Sequence, residues 1–159
     1  MFVRISLLVL CSFLSTFSLT AQKKQSAKRP SIEDKFVNIK TLSPEILLDM
    51  KYATTDNFLG QVVYDCAECY LRKATAQALV AAQKDFVAQG YSLKLFDCYR
   101  PLSVQKKMWK ILPGTHYVAN PAKGSKHNRG AAVDLTLVEI ATGKEVDMGT
   151  PFDTFSPKA

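Results

Sequence analysis

Long runs of one charge are missing from this chain of 159 residues, although its formal net charge is +7. Basic residues come in short groups such as Lys23-Lys24 and Lys106-Lys107, with acids interspersed. There is no basic stripe, no row of stacking aromatics and no nucleic-acid-binding motif, which argues against a nucleic-acid partner and for a soluble protein with a basic surface. Cysteine is scarce, with 4 in all. Cys66-Ala67-Glu68-Cys69 has the spacing of a redox motif or half a zinc ribbon, but no second pair exists, so a four-cysteine zinc site is excluded. Internal repeats and low-complexity segments are also absent. No apolar stretch is long enough and free enough of Ser and Thr to span a bilayer comfortably.

What is present suits one globular domain. An apolar share of 47% with 22% charged residues is ordinary for a chain that buries a core. Arg4 followed by the apolar stretch Ile5 to Leu19 and then Ala21 reads as a secretory signal over residues 1–21. Leu19 is larger than the usual residue at the minus-three position, and a membrane anchor is the competing reading. Residues 22–42, polar and basic around Pro30, read as a flexible leader, which leaves 43–159 as the folded domain. Such a protein is exported, periplasmic or secreted, with no stable membrane span once the signal is cleaved. Disulfides are permitted there. Cys66, Cys69 and Cys98 then allow one bridge and one free thiol, and the sequence does not say which two pair.

Within the domain, Pro44 to Tyr52 reads as a first strand and Thr54 to Gly60 as a loop. Leu71 to Gln89 is the clearest helix: Leu71, Ala74, Ala78, Ala82 and Phe86 recur at intervals of three or four, Leu79 widens the face, and Gly90 sits at a left-handed stop. Ser92 to Tyr99 reads as a strand with Leu93, Leu95, Asp97 and Tyr99 on one face. Pro101 suits the start of a short helix through Leu112, with Met108 and Trp109 packing inward. Gly124 to Gly130 is a loop, followed by a strand from Ala131 to about Ile140, a turn at Thr142-Gly143 and a returning segment. The mixture gives an α+β class, a single domain with a mainly antiparallel sheet packed by helices.

The stretch that carries chemistry is Ser125-Lys126-His127-Asn128-Arg129-Gly130-Ala131-Ala132-Val133-Asp134. A loop turning through Gly130 can fold His127 back over the strand face bearing Asp134, and small Ala132 leaves space beside the carboxylate. An imidazole and a carboxylate converging in this way supply two ligands of a mixed nitrogen and oxygen zinc site. By spacing alone, a surface histidine and a strand-end aspartate is the commoner outcome. Asp134, however, is set among Val133, Leu135 and Leu137, where a charge must be paired or metal-bound to stay ionised.

The pattern Ser-x-His-x-x-Gly-x-x-x-Asp resembles the zinc signature of the D-Ala-D-Ala dipeptidases of the vancomycin-resistance type. Tyr52-Ala53-Thr54-Thr55-Asp56-Asn57-Phe58, Asp97-Cys98-Tyr99-Arg100-Pro101 and Asp147-Met148-Gly149-Thr150-Pro151-Phe152-Asp153 are similar to that family in the same order. The resemblance implies His127 and Asp134 as ligands of one Zn2+, and Arg100 as the catalytic residue that stabilises the transition state. It also implies Asp153 as the anchor for the substrate's ammonium, and Ser125 and Tyr52 as neighbours of the substrate. The expected reaction is zinc-dependent hydrolysis of the small dipeptide D-Ala-D-Ala in peptidoglycan metabolism. Without the resemblance, Arg100 reads as one half of a salt bridge at a strand end. His116 matches no family motif and reads as part of a packed connecting segment.

One family element has no counterpart. The pattern calls for Glu-x-x-His beyond Asp153, supplying the general base and the third protein ligand, and no Glu or His follows Glu145. The expectation is therefore a C-terminally truncated member whose zinc binding and hydrolysis are impaired. Two alternatives stand beside it: a non-catalytic remnant or binding module, and a D-Ala-D-Ala carboxypeptidase that trims longer stem peptides.

Overall fold

A computed structural model describes residues 36–158. The expected signal segment and most of the leader lie outside the described residues. The described residues begin within the stretch read as leader. Phe36–Asn38 form strand β1 and Ile39–Thr41 a short 3-10 turn, with Ile39 fully buried. Apolar Phe36, Val37 and Ile39 have a partner to pack on, so the polar composition upstream does not extend to them.

Strand β1 pairs antiparallel with β3 (Tyr70–Arg72) as a two-stranded ribbon. A second, three-stranded sheet has β4 (Tyr91–Asp97) at its centre. The two-residue β2 (Leu47–Leu48) lies parallel to β4 on one side, and β5 (Asp134–Glu139) lies antiparallel on the other. The α+β reading therefore holds, with one parallel edge. The first strand is much shorter than Pro44 to Tyr52, because Lys51–Ala53 close into a 3-10 turn. That turn places Tyr52 inward, where its carbonyl accepts from the amides of Val63 and Tyr64. Asn57 ties the following loop by donating its amide to the carbonyls of Lys51, Thr54 and Gln61.

Helix α1 spans Lys73–Val87, and Leu71 belongs to β3 instead. Its buried face is Ala76, Leu79 and Gln83, so Ala74 and Ala78 are exposed where the apolar stripe placed them inside. Gln83 is fully buried because both ends of its amide are used. It donates to Ser92 Oγ at 3.0 Å and accepts from the Leu93 amide at 2.8 Å, fastening the helix to β4. Gly90, at φ +87°, makes the turn from helix to strand. Helix α2 spans Leu102–Ile111 directly after Pro101 and buries Val104, Gln105 and Met108, with Trp109 half-buried.

The core gathers Ile39, Ile46, Leu71, Leu79, Leu93, Leu95 and Met108 between the helices and the sheet. Through it runs a disulfide joining Cys69 to Cys98, both fully buried, which leaves Cys66 as an exposed thiol. The bridge closes a separation of 29 residues. Restricting the unfolded chain to that extent is worth about 3–4 kcal/mol in the chain-entropy picture. No helix among the described residues is long and apolar enough to cross a membrane.

Candidate active site

The site forms where β4 ends. Antiparallel pairing with β5 breaks register between Leu95 and Asp97 and sets Asp97 opposite Asp134. Asp134 is the first residue of β5; Ala131 to Val133, expected in the strand, belong to the approach loop. That loop turns as expected. His127–Arg129 make a 3-10 turn closed by Gly130 in the left-handed region, at φ +63°. Gly130 is also a point of close approach: a Cβ there would lie 2.3 Å from Phe36 Cε1 and 3.1 Å from the Arg72 amide nitrogen. The turn brings His127 Nε2 to 3.6 Å from Asp134 Oδ2.

The other ring nitrogen of His127 is committed. Its Nδ1 lies 2.9 Å from the Cys98 carbonyl oxygen. A carbonyl only accepts, so Nδ1 carries the hydrogen and Nε2 presents a lone pair toward Asp134. Asp97, His127 and Asp134 each offer a donor atom within 4.8 Å of the others. Asp97 is nevertheless spent. Its Oδ1 accepts from the Tyr64 hydroxyl and from the Cys98 amide, and its Oδ2 accepts from Arg100 Nη2 at 2.5 Å. Asp97 therefore acts as a brace for its neighbours, and His127 with Asp134 is the open donor pair. Their 3.6 Å separation is close to the edge of a tetrahedron built on bonds of about 2.1 Å, so the pair fits a zinc ion.

Arg100 is 7% exposed and held from several sides. Asp97 takes Nη2, Gln105 Oε1 takes Nη1 at 3.0 Å, and the guanidinium lies over the Tyr52 ring, 5.2 Å from its centroid. Gln105 is in turn fixed by donating to the Ala119 carbonyl. Burial opposes the charged guanidinium, but the Asp97 carboxylate, helped by Tyr64 and Tyr52, more than offsets this and raises its pKa. Nε is buried without a partner, an unspent donor on a fixed cation.

Tyr52 and Asp153, expected near the substrate, meet each other: the Tyr52 hydroxyl donates to Asp153 Oδ2 at 2.7 Å. Burial, then the Asp153 carboxylate, pushes the Tyr52 phenol up, so it stays a donor. Asp153 itself holds a left-handed backbone, φ +55°. Burial raises its pKa against the pull of the Tyr52 hydrogen bond and of Arg100. Asp134 is raised by burial as well, with His127 opposing. Ser125 turns its hydroxyl to the loop, accepting from the His127 amide at 3.3 Å, while its own amide donates to Asn128 Oδ1. A cleft of about 740 Å³ is bordered by Phe96, Thr136, Phe152 and Asp153, and neither His127 nor Asp134 lines it. His116, expected in a packed segment, is exposed; the burial there belongs to Val118.

Asp97 and Gln105 are the site residues that sequence reasoning missed. Asp97 stood in a motif and on a strand face, and a charge on that buried face was the available signal. Gln105 carried none, because a glutamine inside a helical stripe reads as surface.

A mixed α+β domain that sets an imidazole against a carboxylate, with a braced guanidinium sharing Asp97 with that imidazole, defines the class to which the molecule belongs. The comparisons make that class specific: a D-Ala-D-Ala dipeptidase family model matches residues 32–159, and the chain belongs to that family. It is 36% identical over 117 residues to the D-alanyl-D-alanine dipeptidase of Escherichia coli strain K12, covering 74% of this chain and 60% of that protein. With the D-alanyl-D-alanine dipeptidase of Enterococcus faecalis strain V583 it shares 35% identity over 142 residues, covering 77% of this chain and 70% of that protein. The Enterococcus faecium protein of the same name is 35% identical and is covered over 62% of its length. The chain thus spans about three fifths to seven tenths of these relatives.

Proposed function

We propose that His127 and Asp134 hold a zinc ion at which the peptide bond of D-Ala-D-Ala is hydrolysed, as part of peptidoglycan turnover by an exported protein. The observation that carries this is the Nδ1 bond of His127 to the Cys98 carbonyl, which leaves Nε2 free and facing Asp134. Zinc, when bound, supplies Lewis acidity and lowers the pKa of water toward about 7. The chain's own residues do the rest of what can be read. Arg100, fixed by Asp97 and Gln105, offers hydrogen bonds to the oxygen on which negative charge grows as the carbonyl is attacked. Asp153, held by Tyr52, is an anionic anchor for a free ammonium group. Ser125 shapes the loop that carries His127.

An anchor for a free amine favours a dipeptide over a longer stem peptide, whose amine lies elsewhere. The deciding measurement is one of binding. Zinc titration of the purified protein is expected to show one site that His127→Ala or Asp134→Ala removes. Free D-Ala-D-Ala should bind the zinc-loaded protein at least tenfold more tightly than its N-acetylated form. Unchanged zinc binding in both variants would sink the metal assignment, and equal affinity for the blocked dipeptide would turn the reading toward a carboxypeptidase.

A further inference from the structure

The Cys69–Cys98 disulfide is wired into the site, not merely into the core. Cys98 lies between Asp97 and Arg100, and its backbone is used on both sides. Its amide donates to Asp97 Oδ1 at 2.8 Å, and its carbonyl takes the Nδ1 hydrogen of His127. The next two amides extend the pattern: Tyr99 N donates to the Tyr70 carbonyl and Arg100 N donates to the His127 carbonyl. On the other side of the bridge, Cys69 is fixed by its carbonyl accepting from the Ile39 amide, and β3 is anchored by Arg72 N donating to the Gly130 carbonyl. Residues 98–100 lie beyond the end of β4, where pairing with β5 has stopped. A covalent tie to Cys69, the residue before β3, joins the hydrogen bonds of the Tyr99 and Arg100 amides in holding them.

We infer that this disulfide is a positioning element of the metal site: it fixes the Cys98 carbonyl that sets the tautomer and aim of His127, so the site's metal affinity depends on the bridge being oxidised. Groups that orient a ligating histidine typically change metal affinity by about 10–100-fold when removed. Reduction by a dithiol such as dithiothreitol delivers two electrons and two protons to the sulfurs. The bridge becomes two thiols, and the reductant leaves as its cyclic disulfide. Cys98 is then held by hydrogen bonds alone. The inference presupposes that His127 and Asp134 hold a metal, yet part of its test needs none.

The test starts from a Cys66→Ser background, which removes the exposed thiol as an exchange partner. Nitrogen NMR of the metal-free protein reads the ring tautomer, with His127 assigned by comparison with His116→Gln, since the chain has 2 histidines. The oxidised protein should show His127 with its hydrogen on Nδ1. After reduction and removal of the reductant, or in Cys69→Ala/Cys98→Ala, that signature should give way to mixed tautomers and zinc should bind about 10–100-fold more weakly. Leu79→Ala, a core change away from the site, serves as a control and should lower the melting temperature while leaving both readouts in place. A reduced protein that stays folded with the same tautomer and zinc affinity would overturn the inference. So would unfolding of both the reduced protein and the double variant, which would assign the bridge a purely structural role. Loss of the tautomer on reduction, in a protein that never bound zinc, would uphold the positioning and overturn only the metal assignment.

Discussion

The Asp97 carboxylate and the Arg100 guanidinium meet at 2.5 Å, with neither side chain more than 9% exposed. Each is tolerable in the interior because of the other. Asp97→Ala is therefore expected to destabilise by about 3–5 kcal/mol, because it strands a buried cation. Asp97→Asn keeps the shape and one acceptor and should cost less. Urea unfolding of the two variants against the parent orders them; equal stability of Asp97→Ala and the parent would mean that Arg100 finds water or another partner.

Gly130 combines a left-handed backbone with contact against Phe36 and the Arg72 amide. Gly130→Ala adds both backbone strain and a collision, and a loss of about 1–3 kcal/mol is expected from the strained conformation alone. Because the same turn aims His127, metal binding should fall with stability. Crystallography of the variant would show whether β1 moves aside; a turn left in place with unchanged stability would refute the account.

Asp153 is raised by burial, so the fold favours its neutral form. Its contribution is thus fully present below the pKa of an unfolded aspartate and is lost as pH rises through the higher folded value. Asp153→Asn keeps an acceptor for Tyr52 and a residue type that tolerates positive φ. The variant should melt higher than the parent at pH 7, with the gap closing as pH falls through the carboxylate range, while binding of a free-amine dipeptide weakens. Thermal melts across pH 3–8 would expose a gap of the opposite sign.

Gln83 uses its whole amide between α1 and β4. Gln83→Ala leaves the Leu93 amide without its acceptor in the core, with an expected loss of about 1–3 kcal/mol. Hydrogen exchange at Leu93 should accelerate along with the drop in global stability; unaltered protection there would show that another group has taken the acceptor's place.

Much of this architecture was legible in the sequence, and the failures have physical reasons. The helix after Leu71, the strand through Leu93 and Leu95, the stop at Gly90 and the turn at Gly130 all follow from local chemistry that nothing distant contradicts. Periodicity misplaced the face of α1 because Gln83 is buried by polar satisfaction, which an apolar count cannot register. The short β2 and the strand and turn from Phe36 to Ile39 depend on partners far along the chain. At the site, the loop and strand spacing was enough to bring His127 to Asp134. What holds them in place was not visible: the Asp97 brace, Gln105 reaching to Ala119, and the choice of Cys69 over Cys66 are long-range matches between side chains with no period of their own.

Strand β4 is flanked on both sides, and every residue with a chemical assignment gathers at or beyond its carboxyl end. Among the described residues, the opposite end carries two tight connections, at Gly90 and at Thr142-Gly143, both open to solvent. The molecule thus has a committed pole and a permissive one. Tags, fluorophores or inserted peptides placed at the permissive pole would leave the chemistry undisturbed, and natural variation in loop length should collect there for the same reason.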